Sequence, residues 1–194
     1  MASRAEQKAE RRVALIEGAL NVLHEHGLAG FTTGRIAAAA GIAQSGFYKY
    51  WPDRDAALHA VAEHVGLKVL SSVREARLAV GNDPARLHES FAGALRAMLE
   101  QRRTTELFLR FRREPGPLGD LYRMLLDRAR AELHVDMIEM GIVTAEDPMG
   151  RRLAMYTVTA MLGTVELAID GLVDDIDEVA SDLGLFAAAV LEAR

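Results

Sequence analysis

Gln44, Ser45, Tyr48, Lys49 and Tyr50 crowd hydrogen-bonding side chains into residues 44–50, with Thr33 upstream and Arg54 just downstream. A glutamine can pair with the N6/N7 edge of adenine through two hydrogen bonds. Lys49 has the reach for guanine or for a phosphate. Tyr48 and Tyr50 carry hydroxyls on phenyl rods of limited flexibility. Arg54 falls in the first turn of a helix, where free backbone N–H groups also favour an anion. Such a set suits a short helix entering the major groove of a duplex, with polar groups at its leading edge and donors on its flanks that hold it on phosphate. The rival reading of the same residues is a helical hairpin with exposed tyrosines and no ligand.

The elements that must position them follow from punctuation. A first helix over about 4–26 carries Val13, Ile16, Leu20 and Leu23 on one stripe and stops at Gly27. Thr32 or Thr33 can cap a second helix, about 33–40, and Gly41 permits a sharp turn into a third, about 43–50. Ile36, Ile42 and Phe47 are expected to hold this trio together. Pro52 breaks the chain, and Asp53 can cap a fourth helix to about residue 80, with Leu58, Val61 or Ala62, Val65, Val69 and Val73 inward. After the Gly81-Asn82-Asp83-Pro84 breaker come helices over about 84–101, 104–113 (with Thr104 as cap), 117–140, 147–172 and 175–192. The expected fold is therefore all-α, about nine helices. Residues 1–53 form an N-terminal helix-turn-helix domain and 54–194 a larger helical domain, with the fourth helix, 54–80, as connector.

Bulk properties narrow the classes. The 194 residues are 50% hydrophobic, enough for a real core, and contain no Cys, which excludes disulfides and thiolate metal sites. No secretory signal is read in the charged N-terminus, and no apolar run reaches about 18 residues, so neither export nor a membrane span is expected. The charge is uneven. Residues 1–60 hold seven Lys/Arg against six Asp/Glu, whereas residues 146–194 hold three against ten. The less acidic end can meet phosphate while the acidic end points away.

Residues 12–65 resemble the N-terminal domain of the TetR family of bacterial transcriptional repressors. The stretches FTTGRIAAAAGIAQSGFYKYW and PDRDAALHAV carry the likeness, together with the preceding amphipathic helix. The rest of the chain is similar only in length and helix layout. The resemblance implies a nine- or ten-helix cytoplasmic homodimer, double-stranded DNA with an inverted-repeat operator as partner, release by a small-molecule effector, and no cofactor. It implies that Thr33 bonds phosphate, Gln44 faces bases with Ser45 beside it, Tyr48 and Tyr50 touch backbone phosphates, Lys49 reaches base or phosphate, and Arg54 replaces a phosphate-binding lysine. Two positions depart from the pattern. Ala43 stands where many members have a capping Ser, and Gly46 where many have Thr or Ser, so each loses a hydroxyl.

The body carries two further expectations. The eighth helix is apolar almost all round. Leu153, Tyr156, Ala160, Thr164 and Leu167 form one strip, and Met155, Val158, Leu162, Val165 and Ile169 another. The second strip, with Leu183, Phe186 and Val190 of the last helix, is expected to meet a second copy, and Ala160, Gly163 and Thr164 would allow close approach. The alternative is the central helix of a monomeric bundle. Phe91, Leu95, Met98, Phe108, Phe111, Tyr122, Leu125, Met137 and Tyr156 are the candidate effector-pocket lining, and they favour an apolar ligand over a sugar. The same residues at helical spacing also suit a plain core. The cluster Arg110 to Glu114 reads as a solvated helix end, with an anion-binding role as its rival.

An enzyme is not expected. None of the six histidines stands in an H-E-x-x-H or Glu-x-x-His pattern, Ser45 is in no G-x-S-x-G elbow, and no Gly-rich phosphate loop follows a strand. The remaining alternative is a DNA-binding architectural or protein-interaction factor with the same reader and no effector.

Overall fold

The computed structural model describes residues 4–81 and 86–192. They form α1 (Arg4–Gly30), α2 (Thr33–Ala39), α3 (Gln44–Phe47), α4 (Arg54–Val80), α5 (Leu87–Glu100), α6 (Arg102–Phe111), α7 (Pro117–Glu139), α8 (Pro148–Ile169) and α9 (Ile176–Glu192), with no strand among the described residues. The chain divides into two compact units, Met1–Val65 and Gly66–Arg194, so the division falls inside α4. Residues Asn82 to Pro84 of the expected breaker lie outside the described residues.

In the first unit α1 packs on α2, and α2 on α3. Leu15, Ile16, Ala19, Leu20, Val22 and Leu23 of α1 are buried, but Val13 of the expected stripe is 51% exposed. The buried face is set by Leu15, Ala19 and Val22, so the stripe is rotated from the one expected. Gly27 departs from helical geometry (φ 62, ψ −172) and kinks α1 where a stop was expected. Gly18 lets the end of α2 lie close, since a Cβ there would sit 3.2 Å from the Ala40 nitrogen.

In the second unit α5 packs on α9, α7 on α8, and α5, α6 and α8 on one another. Leu133, Met137, Val143, Leu153 and Ala154 form one buried cluster there. Arg77 and Asp136 make a buried ion pair between α4 and α7. The expected cap at Thr104 is corrected. The helix begins earlier, at Arg102, and Thr104 and Thr105 are both buried. The Thr105 hydroxyl donates to the Met98 carbonyl at 2.7 Å, which ties α6 to α5. By length and composition α8 is apolar enough to cross a membrane, although Arg151, Arg152 and Glu166 interrupt its apolar run. In this fold it packs against α5, α6 and α7.

Candidate nucleic-acid interface

The turn between α2 and α3 is built from backbone bonds that Gly41 makes possible. Gly41 sits at φ 66, its N–H donates to the Ala38 carbonyl at 3.0 Å, and the Ile42 N–H donates to the Ala37 carbonyl at 2.9 Å. A residue with a Cβ pays a steric cost at that φ. These two bonds close the last turn of α2 as a Schellman motif and turn the chain into α3. At its other end α2 is capped by Thr32, whose hydroxyl accepts from the Arg35 N–H.

α3 is shorter than expected, running Gln44–Phe47 rather than 43–50. Ala43, at the N-cap position, offers no side-chain acceptor. Gly46 weakens the interior. Trp51 precedes Pro52, which disfavours helical backbone. Residues 48–50 continue as tight turns, with Lys49 N–H on the Gly46 carbonyl at 3.2 Å and Tyr50 N–H on the Phe47 carbonyl at 2.9 Å. What fixes α3 is burial. Phe47 is wholly buried and Trp51 nearly so, with ring centroids 5.4 Å apart, and Phe31 and Ile36 are buried in the same unit.

That anchoring leaves the other side chains outward. Gln44, Ser45, Tyr48, Lys49 and Arg54 are exposed, while Thr33 and Tyr50 are half-buried. The Tyr48 ring stands edge-on to Phe47 at 5.3 Å, and Tyr50 leans on Trp51 at 6.5 Å. Gln44 and Thr33, eleven residues apart, are brought together, with Gln44 Nε2 donating to Thr33 Oγ1 at 3.0 Å. Arg54 donates to the Leu28 carbonyl at 3.3 Å, and Arg35 to the Gly30 carbonyl at 3.2 Å. Two guanidinium groups thus flank the turn that leads into α2. Arg35 was not among the residues singled out in the sequence, although its place one turn from Thr32 was the available signal. Asp53 caps α4, its Oδ1 accepting from the Ala56 N–H at 2.8 Å.

In the second unit the pocket candidates separate. Leu95, Met98, Phe108, Phe111, Tyr122 and Leu125 are core residues at most 3% exposed, with Phe108 and Tyr122 rings 4.8 Å apart. Burial pushes the Tyr122 hydroxyl above the usual tyrosine range, an effect trimmed by nearby Arg112. Among the described residues that hydroxyl finds no hydrogen-bond partner. Phe91 and Tyr156 instead line a groove of about 290 Å³ with Leu153, Thr157, Leu183 and Phe186. Phe91 and Met137 border a smaller cavity of about 30 Å³ with Arg77, Met140 and Met161. Of the candidate interface residues, Val165 is fully buried in its own chain, whereas Met155 and Phe186 are 38% and 66% exposed. Val158, Leu162, Ile169 and Leu183 are half-buried, and the Val190 side chain lies outside the described residues. In the Arg110 to Glu114 cluster, Arg112 and Arg113 both reach Glu166 of α8, at 2.9 and 3.5 Å. Among the described residues, no three acidic or histidine side chains gather to hold a metal ion.

The geometry is that of a helix-turn-helix unit joined to a helical body. Residues 15–61 match the family model of the bacterial regulatory proteins, tetR family, so this part of the chain is a TetR-family domain. The chain as a whole has the fold of solved structures described in the same terms. It is similar to a TetR-like transcriptional regulator from Rhodococcus sp. RHA1, at 18% identity, 100% of each chain covered and TM-score 0.69. It is similar to a putative transcriptional regulator from Pseudomonas aeruginosa PAO1, at 19% identity, 96% of this chain and 92% of that one covered, and TM-score 0.77. It is also similar to SmeT, the repressor of the multidrug efflux pump SmeDEF of Stenotrophomonas maltophilia, at 19% identity, with 91% and 89% covered and TM-score 0.65. No curated protein matches by sequence.

Proposed function

We propose that this protein is a cytoplasmic DNA-binding transcriptional regulator, a homodimeric repressor that leaves a palindromic operator when a small, largely apolar effector binds its body. The observation that carries the reading is the exposed edge of the TetR-family domain, where Gln44, Ser45, Tyr48 and Lys49 stand on a turn anchored by buried Phe47. Gln44 and Ser45 read bases. Thr33, Lys49, Tyr48, Tyr50 and Arg54 hold the duplex backbone. One four-residue helix grips few bases, so two copies related by a two-fold axis supply the specificity, which requires an inverted repeat. Exposed Met155, Leu185 and Phe186 support pairing through α8 and α9. The groove lined by Phe91, Tyr156 and Phe186 supports an apolar effector. The effector acts by preferring the state whose reader spacing misses the operator, and it needs a difference in affinity between the two states.

Gel shifts on the intergenic DNA upstream of the gene, at low salt, test the reading. A discrete complex is expected, and its absence overturns the assignment. A thermal-shift screen tests the effector class, where stabilisation by polar metabolites alone would sink the apolar reading.

A further inference from the structure

We propose that Thr33 sets the orientation of the Gln44 amide, and through it makes the reader select adenine over guanine at one position of each half-site. The inference rests on the DNA-reading assignment above. Its starting point is the bond from Gln44 Nε2 to Thr33 Oγ1, 3.0 Å, between the first residues of α2 and α3.

The proton inventory carries it further. A threonine hydroxyl has one hydrogen to donate and lone pairs to accept with. When Thr33 donates to a phosphate oxygen, which carries no hydrogen, it can only accept from its other neighbour. The Gln44 amide must then turn its nitrogen toward Thr33. One amide hydrogen is used there, which we assign as the one trans to Oε1. The remaining hydrogen and Oε1 face outward side by side, a donor beside an acceptor. Adenine offers the complement, N7 as acceptor and N6–H as donor, whereas guanine offers two acceptors, N7 and O6. Oε1 would meet guanine O6 lone pair to lone pair. Without Thr33 the amide is free to flip and present hydrogens to guanine instead. The link also compensates for local weakness, because α3 has four residues and no side-chain cap at Ala43. Thr33 is thus a positioning residue, acting on the bases only through Gln44.

The test is selection from a random duplex library with wild type, Thr33→Ser, Thr33→Val and Gln44→Ala. The Gln44 variant locates the dependent column. On the selected site, affinity is then compared with adenine, guanine or 7-deazaadenine in that column at fixed salt. Wild type and Thr33→Ser should prefer adenine over guanine by about five- to 150-fold and lose most of this with 7-deazaadenine. Thr33→Val, of similar shape but with no hydroxyl, should drop the ratio to about threefold or less. Loss of the phosphate contact alone lowers affinity for all sequences together, with the salt slope nearly unchanged because the hydroxyl is neutral, and leaves the base ratio untouched. An unchanged ratio in Thr33→Val, or guanine in the Gln44-dependent column of wild type, overturns the coupling while DNA binding stands. Failure of wild type to enrich any sequence overturns the DNA-reading assignment itself.

Discussion

The Arg77–Asp136 pair of the second unit permits a quantitative test of what holds the body together. The two side chains are 14% and 8% exposed and join α4 to α7 across 59 residues of chain. The guanidinium Nε is buried without an acceptor among the described residues, so Asp136 is its main compensation. At an effective dielectric constant of about 20, unit charges ~4 Å apart attract by about 4 kcal/mol. Arg77→Met removes that attraction and leaves a carboxylate in the core. Asp136→Leu leaves the guanidinium. Each change alone should cost about 3–5 kcal/mol, a large part of the ~5–15 kcal/mol of a typical fold. The double variant, with two apolar side chains of similar bulk, should lie near wild type or about 1–4 kcal/mol above it. Urea unfolding of all four proteins, at one protein concentration because any self-association adds to apparent stability, measures the cycle. Single variants that lose less than about 1 kcal/mol, or a double variant that loses the sum of both, would refute the view that the cost lies in the uncompensated charge.

Variants at four further positions test the same structure. Tyr122→Phe removes a buried hydroxyl without a partner among the described residues, so denaturation should show stability unchanged or raised by about 1–2 kcal/mol. Burial raises the Tyr122 pKa, so its contribution is complete below the free-tyrosine value near 10 and fades as pH rises past it. The advantage of the Phe variant should therefore widen between about pH 8 and 10.5, and a constant gap would contradict the burial argument. Gly119→Ala places a Cβ 2.2 Å from the Glu114 carbonyl oxygen, backbone that cannot rotate away, and should lower the unfolding midpoint by about 1–3 kcal/mol equivalent. At Gly163, where a Cβ would meet no packed neighbour within 4 Å among the described residues, alanine should instead stabilise an isolated chain by about 1 kcal/mol through helix propensity, and sedimentation of that variant reports whether a second copy packs there. Asp53→Ala removes the cap of α4 and should cost about 1 kcal/mol by thermal unfolding, with Asp53→Asn retaining most of it.

Legibility differed by the range of the interaction. The ends of α2 and α7 could be placed near Gly41 and Gly141 because each is closed by local backbone bonds at a positive-φ glycine. The Asp53 cap was legible for the same reason, since donor and acceptor are three residues apart. Thr104 misled because a Thr ahead of an apolar run looks like a cap, while the hydroxyl of its neighbour Thr105 is committed to a carbonyl of the preceding helix. Val13 misled because helical spacing shows that a stripe exists but not which way the packed neighbour lies. The pairings of Arg77 with Asp136 and of Gln44 with Thr33 have no local signature at all. The candidate reader could be named residue by residue, but the bond that joins its base-facing and backbone-facing members could not.

That bond bears on how so small a reader can discriminate. A four-residue helix is far below the length at which a helix sustains itself, so α3 exists because tertiary contacts impose it. Phe47 and Trp51 supply the inward contact, and the Gln44–Thr33 bond ties the exposed start of α3 to α2. Neighbouring residues therefore do unlike work. Phe47 is wholly buried while Tyr48, next to it, is 54% exposed. A change at Phe47 would release every outward side chain at once and weaken all sequences alike, whereas a change at Thr33 leaves the scaffold standing, removes one phosphate contact and alters what Gln44 presents. On the proposed reading, specificity in this domain resides in how the amide is held as much as in which residue carries it. A hydroxyl placed eleven residues before the recognition glutamine can then decide a base without touching it.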